Sequence, residues 1–306
     1  MKKSTTNIPA SVLARLKYLA EKDSLDFNFV LIRYTQERFL AKLAASGYVN
    51  KFVLKGGFLL LAYSVEKARP TKDIDFLGVN IGRDSVTLVE AIKEILSFEL
   101  NDGVVFLQKE IKAEVIKEDA DYEGIRIRVP ARIGKARTTL QIDFGFGDVV
   151  TPGPLQMDYP TLLKTDDIKI LAYSKETIIS EKLESIAKLT MFNTRLKDFY
   201  DIYFLSGHFS FEGRVLQAAI KETFKRRQTS LESAIELIDS DFGNRTDFAR
   251  LWSAFKRRTG TELKEGFPEV FSRIRGFLMA PIRAELDSGI LQKTWNPPKR
   301  AWEKAQ

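Results

Sequence analysis

An aspartate pair one residue apart, Asp73 and Asp75, set among Ile74, Phe76 and Leu77, constrains this chain more than any other feature. The run reads as a β-strand. Successive strand side chains alternate between faces, so the two carboxylates share one face while Ile74 and Phe76 can enter a core. Two carboxylates held close together repel unless a cation lies between them. Hard oxygen ligands so arranged suit Mg²⁺ (or Mn²⁺) that is shared with substrate phosphates. Just upstream, Phe52-Val-Leu-Lys55 reads as a short strand and Phe58-Leu-Leu-Leu-Ala-Tyr63 as the apolar start of a helix. Gly56-Gly57 lies at the junction, where a phosphate can approach backbone N–H groups at a helix N-terminus. Arg69 and Lys72 fill the loop before the aspartates and can neutralise a triphosphate. A phosphate seat followed by a metal pair points to nucleotide chemistry.

A lone Asp-x-Asp is common in solvated loops, and a Gly-Gly pair is usually a turn. Strand, Gly-Gly, apolar helix, basic loop and Asp-Ile-Asp, in that order within 25 residues, are far more specific. A further strand, Thr138-Thr-Leu-Gln-Ile-Asp-Phe144, sets Leu140, Ile142 and Phe144 on one face and Thr139, Gln141 and Asp143 on the other. A strand aspartate without a local partner is costly to bury alone, and that cost disappears beside a metal. Asp143 is therefore the expected third ligand, with Asp148 in the following loop as the alternative.

The pattern resembles the nucleotidyltransferase toxins of the AbiEii/AbiGii family, in the polymerase-β-like superfamily, the toxin half of type IV toxin–antitoxin and phage-abortive systems. Glu181-Lys182-Leu183 followed by Arg195-Leu-Lys-Asp-Phe-Tyr-Asp201 looks like the family's second signature. The resemblance covers roughly residues 8–290. It implies an α/β fold with a polymerase-β-like mixed-sheet core and a helical C-terminal domain. It also implies that Lys182 contacts the nucleoside triphosphate and that Asp198 completes the active site, Asp201 being less certain. An RNA acceptor, above all the 3′ end of tRNA, and an antitoxin encoded alongside follow from the same likeness. One departure stands out: the superfamily's phosphate motif is Gly-Ser, and here it is Gly56-Gly57. Backbone amides can still cradle a phosphate without the serine hydroxyl.

Other classes are narrowed by composition. The chain of 306 residues has no cysteine and a single histidine, His208, which excludes disulfides, zinc–thiolate sites and histidine-rich metal centres. His208 follows Ser206-Gly207 at an expected helix end, where a capping role is the simplest one. No apolar run is long enough to cross a bilayer and no signal peptide opens the chain, so the expectation is a cytoplasmic protein without a membrane partner. No Gly-x-x-x-x-Gly-Lys-Ser/Thr run exists, against a P-loop kinase. The net charge of +7 favours a polyanionic partner. Residues 207–306 hold 18 Lys and Arg against 13 Asp and Glu. The clusters Lys225-Arg-Arg227 and Lys256-Arg-Arg258 are candidate RNA contacts, or else ordinary solvated surface.

Three regions are expected: a catalytic domain over 1–160, a helical domain over 161–295 that carries Lys182 and Asp198, and a flexible tail over 296–306 marked by Pro297-Pro298. Two helices occupy 8–46, the second capped by Asp26, its Arg33, Glu37, Arg38 and Lys42 forming a solvated face. A helix is expected over 85–98, strands at 104–107, 112–117 and 125–129, and a connector with three prolines over 151–160. Ser174 caps a helix over 175–190, followed by another over 195–205. Two rival functions use parts of this pattern. A nucleotidyltransferase acting on a small molecule or protein would not need the basic C-terminal clusters. A non-catalytic nucleic-acid-binding module would not need three aspartates on coherent strand faces.

Overall fold

A computed structural model of the chain describes residues 7–63, 71–119, 122–164, 167–189 and 195–304. It divides into two compact units, residues 1–147 with 155–172, and residues 148–154 with 173–306. The change of unit near 172 comes later than the boundary expected at 160, because residues 155–172 return to the first unit as two strands.

The first unit begins with α1 (Ile8–Lys22) and α2 (Phe27–Ala44), followed by β1 (Phe52–Lys55), α3 (Gly56–Tyr63), β2 (Asp73–Gly78) and α4 (Ser85–Ser97). Then come β3 (Val104–Phe106), β4 (Lys112–Asp119), β5 (Tyr122–Ile133), β6 (Ala136–Phe146), β7 (Leu155–Tyr159) and β8 (Ile168–Ala172). One mixed sheet runs β3-β5-β6-β2-β1-β8-β7, with β4 also paired to β5. β2 is parallel to β6 and β1 to β8; the other pairs are antiparallel. The three-proline connector thus contains β7, a strand that periodicity did not reveal. Its pairing partner β8 supplies the hydrogen bonds that make it one.

The apolar face of the sheet is built from the alternating positions. Phe52, Phe76 and Phe144 pack together on neighbouring strands, with ring centroids 4.8 to 5.8 Å apart, and Phe39 of α2 meets Phe76 edge-on. Asp26 caps α2 by accepting from the Phe29 amide at 3.0 Å, as expected.

The far side of α2 is not solvated. Arg33, Glu37, Arg38 and Lys42 are all buried, Glu37 completely. Glu37 accepts from Arg33 Nε at 3.1 Å and from the Leu162 amide at 2.9 Å, while Lys42 donates to the Phe98 carbonyl. Segments 56 and 125 residues further along the chain cover this face, which no local pattern can announce. Burial pushes the Glu37 carboxyl up to about 7 from 4.5, against the opposing pull of Arg33, the Leu162 amide and Arg38. The folded chain therefore holds a proton that the unfolded chain has released. The contribution of Glu37 to stability is fullest below pH 4.5 and should fall by about 3 kcal/mol as the pH rises past 7. Urea unfolding midpoints from pH 4.5 to 8 should show this slope in wild type and lose it in Glu37→Gln. An unchanged slope in that variant would assign it elsewhere.

The second unit carries α5 (Lys175–Leu189), α6 (Leu196–His208), β9 (Phe211–Glu212), α7 (Gly213–Arg227) and α8 (Leu231–Asp239). It continues with α9 (Thr246–Thr259), α10 (Phe267–Leu286), β10 (Lys293–Asn296) and β11 (Ala301–Lys304). Ser174 caps α5 by accepting from the Thr177 amide at 3.1 Å. The core is aromatic: Phe199, Phe242, Phe248, Trp252, Phe267 and Phe271 are mutually packed and buried. The expected flexible tail is instead a hairpin. β10 pairs with β9 and β11, and Pro297-Pro298 lies in its turn. Trp295 anchors it, its indole N–H donating to the Ser206 carbonyl at 2.7 Å. His208 ends α6 with a ring nitrogen 2.8 Å from the Phe204 carbonyl, the helix-end role expected of it.

Candidate active site

Four strands of the first unit bring one row of charged residues together. Lys55 of β1 stands opposite Asp75 of β2, Asp75 opposite Asp143 of β6, and Asp143 opposite Arg126 of β5. Asp73 stands two residues along β2 on the same face, opposite Gln141. Each of Asp73, Asp75 and Asp143 offers one carboxylate oxygen within 4.8 Å of the others. Asp143 is buried, and Asp73 and Asp75 are half-buried.

Each carboxylate is held in place by a neighbour. Thr71 Oγ1 donates to Asp73 at 2.5 Å. Arg126 grips Asp143 through both oxygens, Nε at 2.8 Å and a terminal nitrogen at 2.6 Å. That bidentate bond outweighs burial and holds the guanidinium more firmly protonated, with help from the Asp73 and Glu114 charges. Asp75 leans on Gly56. A Cβ at residue 56 would lie 1.9 Å from Asp75 Oδ2, and Gly56 has φ +71°, where a side chain is strained. Gly56 is thus glycine for two reasons, the turn from β1 into α3 and the room Asp75 needs.

Three convergent carboxylates form the hard-oxygen donor set that Mg²⁺ or Mn²⁺ takes, so these residues fit a divalent cation. A cation here competes with Arg126 for Asp143. Lys55 is buried on the same face, Gly57 is buried in the first turn of α3, and Lys72 is exposed one residue before Asp73. Arg69 lies outside the described residues.

The second unit assembles a separate group. Lys182 Nζ lies 2.7 Å from Asp201 and 3.2 Å from Asp198, both acids being buried, and Arg195 Nε lies 3.0 Å from Asp198. The two acids of the aromatic helix have the cationic partners that their burial requires.

Asp148 belongs to the second unit. It pairs with Arg227 at 3.2 Å, and Arg227 also holds Glu181 at 3.1 Å and Glu184 at 3.0 Å. Burial lowers the affinity of Arg227 for its proton, but the three carboxylates together raise it above the ordinary arginine value. Arg227 therefore ties residues 148–154 and α5 to α7. The exposed members of the basic cluster at 225–227 are Lys225 and Arg226.

Arg126 is the residue that motif reading missed. Its signal was present: Arg126 and Arg128 alternate with Ile125, Ile127 and Val129, which places both arginines on one strand face. Nothing local reveals that Asp143 lies across from the first.

A family model described as the nucleotidyl transferase AbiEii toxin of type IV toxin–antitoxin systems matches residues 38–273. No curated protein matches the chain. Two crystal structures from Helicobacter pylori are similar to it. One, carrying a nucleotidyltransferase description, is 20% identical over 84% of this chain and 96% of its own, with a TM-score of 0.45. The other, JHP933, is 18% identical over 84% of this chain and 95% of its own, also with a TM-score of 0.45.

Proposed function

The chain belongs to the AbiEii family of nucleotidyltransferase toxins, and on that premise we propose that it transfers a nucleoside monophosphate from a nucleoside triphosphate to the 3′ end of a tRNA. The observation that carries this reading is the convergence of Asp73, Asp75 and Asp143 on one sheet face. The oxygen of the acceptor's terminal hydroxyl bonds to the α-phosphorus and its proton is released to solvent. The bond from the α-phosphorus to the oxygen bridging the β-phosphate breaks, and pyrophosphate leaves. Divalent metal ions, when bound, neutralise the phosphate oxygens and lower the pKa of the attacking hydroxyl.

This chain's residues hold and orient the reactants. Asp73 and Asp75 would hold a divalent cation, and Asp143 would complete the donor set. The Gly56 and Gly57 amides at the start of α3 face phosphate oxygens, and Lys55, Arg69 and Lys72 offset their charge. Lys182 stabilises charge on the departing pyrophosphate, and Asp198 orients Lys182. Modified tRNA would be barred from translation, the route by which such a toxin arrests growth during phage infection. A type IV system supplies an antitoxin partner, and tRNA as acceptor places the activity in the cytoplasm. Among the described residues no helix is long and apolar enough to cross a membrane.

The test is incubation with each labelled nucleoside triphosphate, Mg²⁺ and total RNA, followed by size separation. Label in the tRNA band, lost when the tRNA 3′ hydroxyl is oxidised beforehand, is the expected result. Label on protein or on a small molecule, with none on RNA, would overturn the acceptor assignment and leave the nucleotidyltransferase intact.

A further inference from the structure

The β4–β5–β6 portion of the sheet has two unlike faces. Ile127, Val129, Leu140 and Ile142 are buried on one. The opposite face, which carries Asp143, also carries Lys112, Arg126, Arg128, Arg132 and Arg137, placed by the strand pairings. Arg126 is committed to Asp143, and Arg128 pairs with Glu114 at 2.8 Å. Lys112, Arg132 and Arg137 are exposed, and none has an ion-pair partner among the described residues.

Arg132 and Arg137 stand directly opposite each other in the antiparallel β5–β6 pair. Like charges in that position destabilise a sheet. Protection of a bare strand edge accounts for Lys112 on β4. It does not account for Arg132, because β5 is hydrogen-bonded there on both sides, to β3 and to β6. Arg137 lies on β6 before its pairing with β2 begins at Gln141. Arg132 nonetheless faces it from a strand paired on both sides, and a placement that weakens the fold and guards no edge on β5 calls for a polyanion to relieve it. Same-face residues recur about every 6.8 Å along a strand, so Arg137 stands roughly 20 Å from Asp143 along β6. The cations thus form a track that ends at the three aspartates.

We propose that this open sheet face is the platform for the sugar–phosphate backbone of the RNA acceptor. Lys112, Arg132 and Arg137 take phosphates while the 3′ end reaches Asp143. The inference rests on the acceptor being RNA. The face between the arginines offers Pro130, Thr139 and Gln141 and, among the described residues, no aromatic ring for base stacking. Its contacts therefore set position without reading sequence.

The test compares wild type with Lys112→Ala/Arg132→Ala/Arg137→Ala, and with a control, Lys225→Ala/Arg226→Ala. RNA binding is measured across a salt series, and label transfer to tRNA is measured alongside. The triple variant should bind RNA about tenfold more weakly at physiological salt, and its slope of log K against log salt should fall by about 2, for three phosphate contacts on a single strand. Its melting temperature should not drop, since opposed like charges are removed, and its KM for the triphosphate should stay at the wild-type value. A wild-type slope and wild-type KM for tRNA in the triple variant would overturn the platform while leaving RNA as the acceptor. A slope lost only in the control would place the acceptor on α7 and equally overturn it. Wild-type protein that labels no RNA would sink the acceptor assignment, and the platform with it.

Discussion

Asp75→Ala should lose nucleotide transfer by about 10³-fold or more, because several kcal/mol of charge neutralisation at the phosphates depend on a bound cation. The fold should survive. Asp75 is half-buried, and the apolar face that stabilises β2 is made by Ile74 and Phe76. Asp75→Asn should be nearly as inactive, since an amide keeps the shape and loses the charge. Gly56→Ala should reach a similar end by another route. Its new methyl would collide with Asp75 Oδ2, and φ +71° disfavours any side chain there, so the carboxylate must move. The measurements are turnover with labelled triphosphate, a melting curve, and Mn²⁺ binding followed by its paramagnetic signal. Wild-type turnover in Asp75→Ala would end the assignment of the three aspartates as metal ligands. Lost turnover with unaltered Mn²⁺ binding would move the metal elsewhere.

Lys182→Ala should lose both stability and turnover, and the two losses can be separated. The ammonium is the cation between the buried Asp198 and Asp201. Removing one partner of a buried pair costs about 3–5 kcal/mol. Asp198 keeps Arg195, so the low end applies, about 3 kcal/mol or roughly a 6–12 °C fall in melting temperature. Adding Asp201→Asn removes the stranded charge and should recover most of that fall. Turnover, measured well below the melting temperature, should stay about 10²-fold down in both variants, the scale for losing one preorganised charge-stabilising group. Full specific activity in the double variant would make Lys182 a stabilising residue alone.

Much of the candidate site was legible because its signals are local. Alternation within a strand places Asp73 with Asp75, and Asp143 apart from Ile142 and Phe144, whatever the rest of the chain does. Helix starts at Asp26 and Ser174 were readable because a cap bonds an amide three residues on. The same logic misled at α2, where Arg33, Glu37, Arg38 and Lys42 follow the period of a solvated face and are buried nonetheless. It misled again at Pro297-Pro298, a turn signal that closes a hairpin between Lys293–Asn296 and Ala301–Lys304.

By itself, the sequence determined which residues share a face, where helices begin, and that any metal would be held mainly by carboxylates, since one histidine and no cysteine leave few other donors. The tertiary structure decided which faces meet. Strand order set Asp143 in register with Asp75 and chose Arg126 as its partner, and it sent Asp148 to Arg227. It buried the charges of α2 under residues far along the chain. Periodicity is a property of a few consecutive residues. The state of a charge depends on whatever packs against it, and in this chain the Asp143 partner of Arg126 and the Leu162 amide on Glu37 lie 17 and 125 residues away.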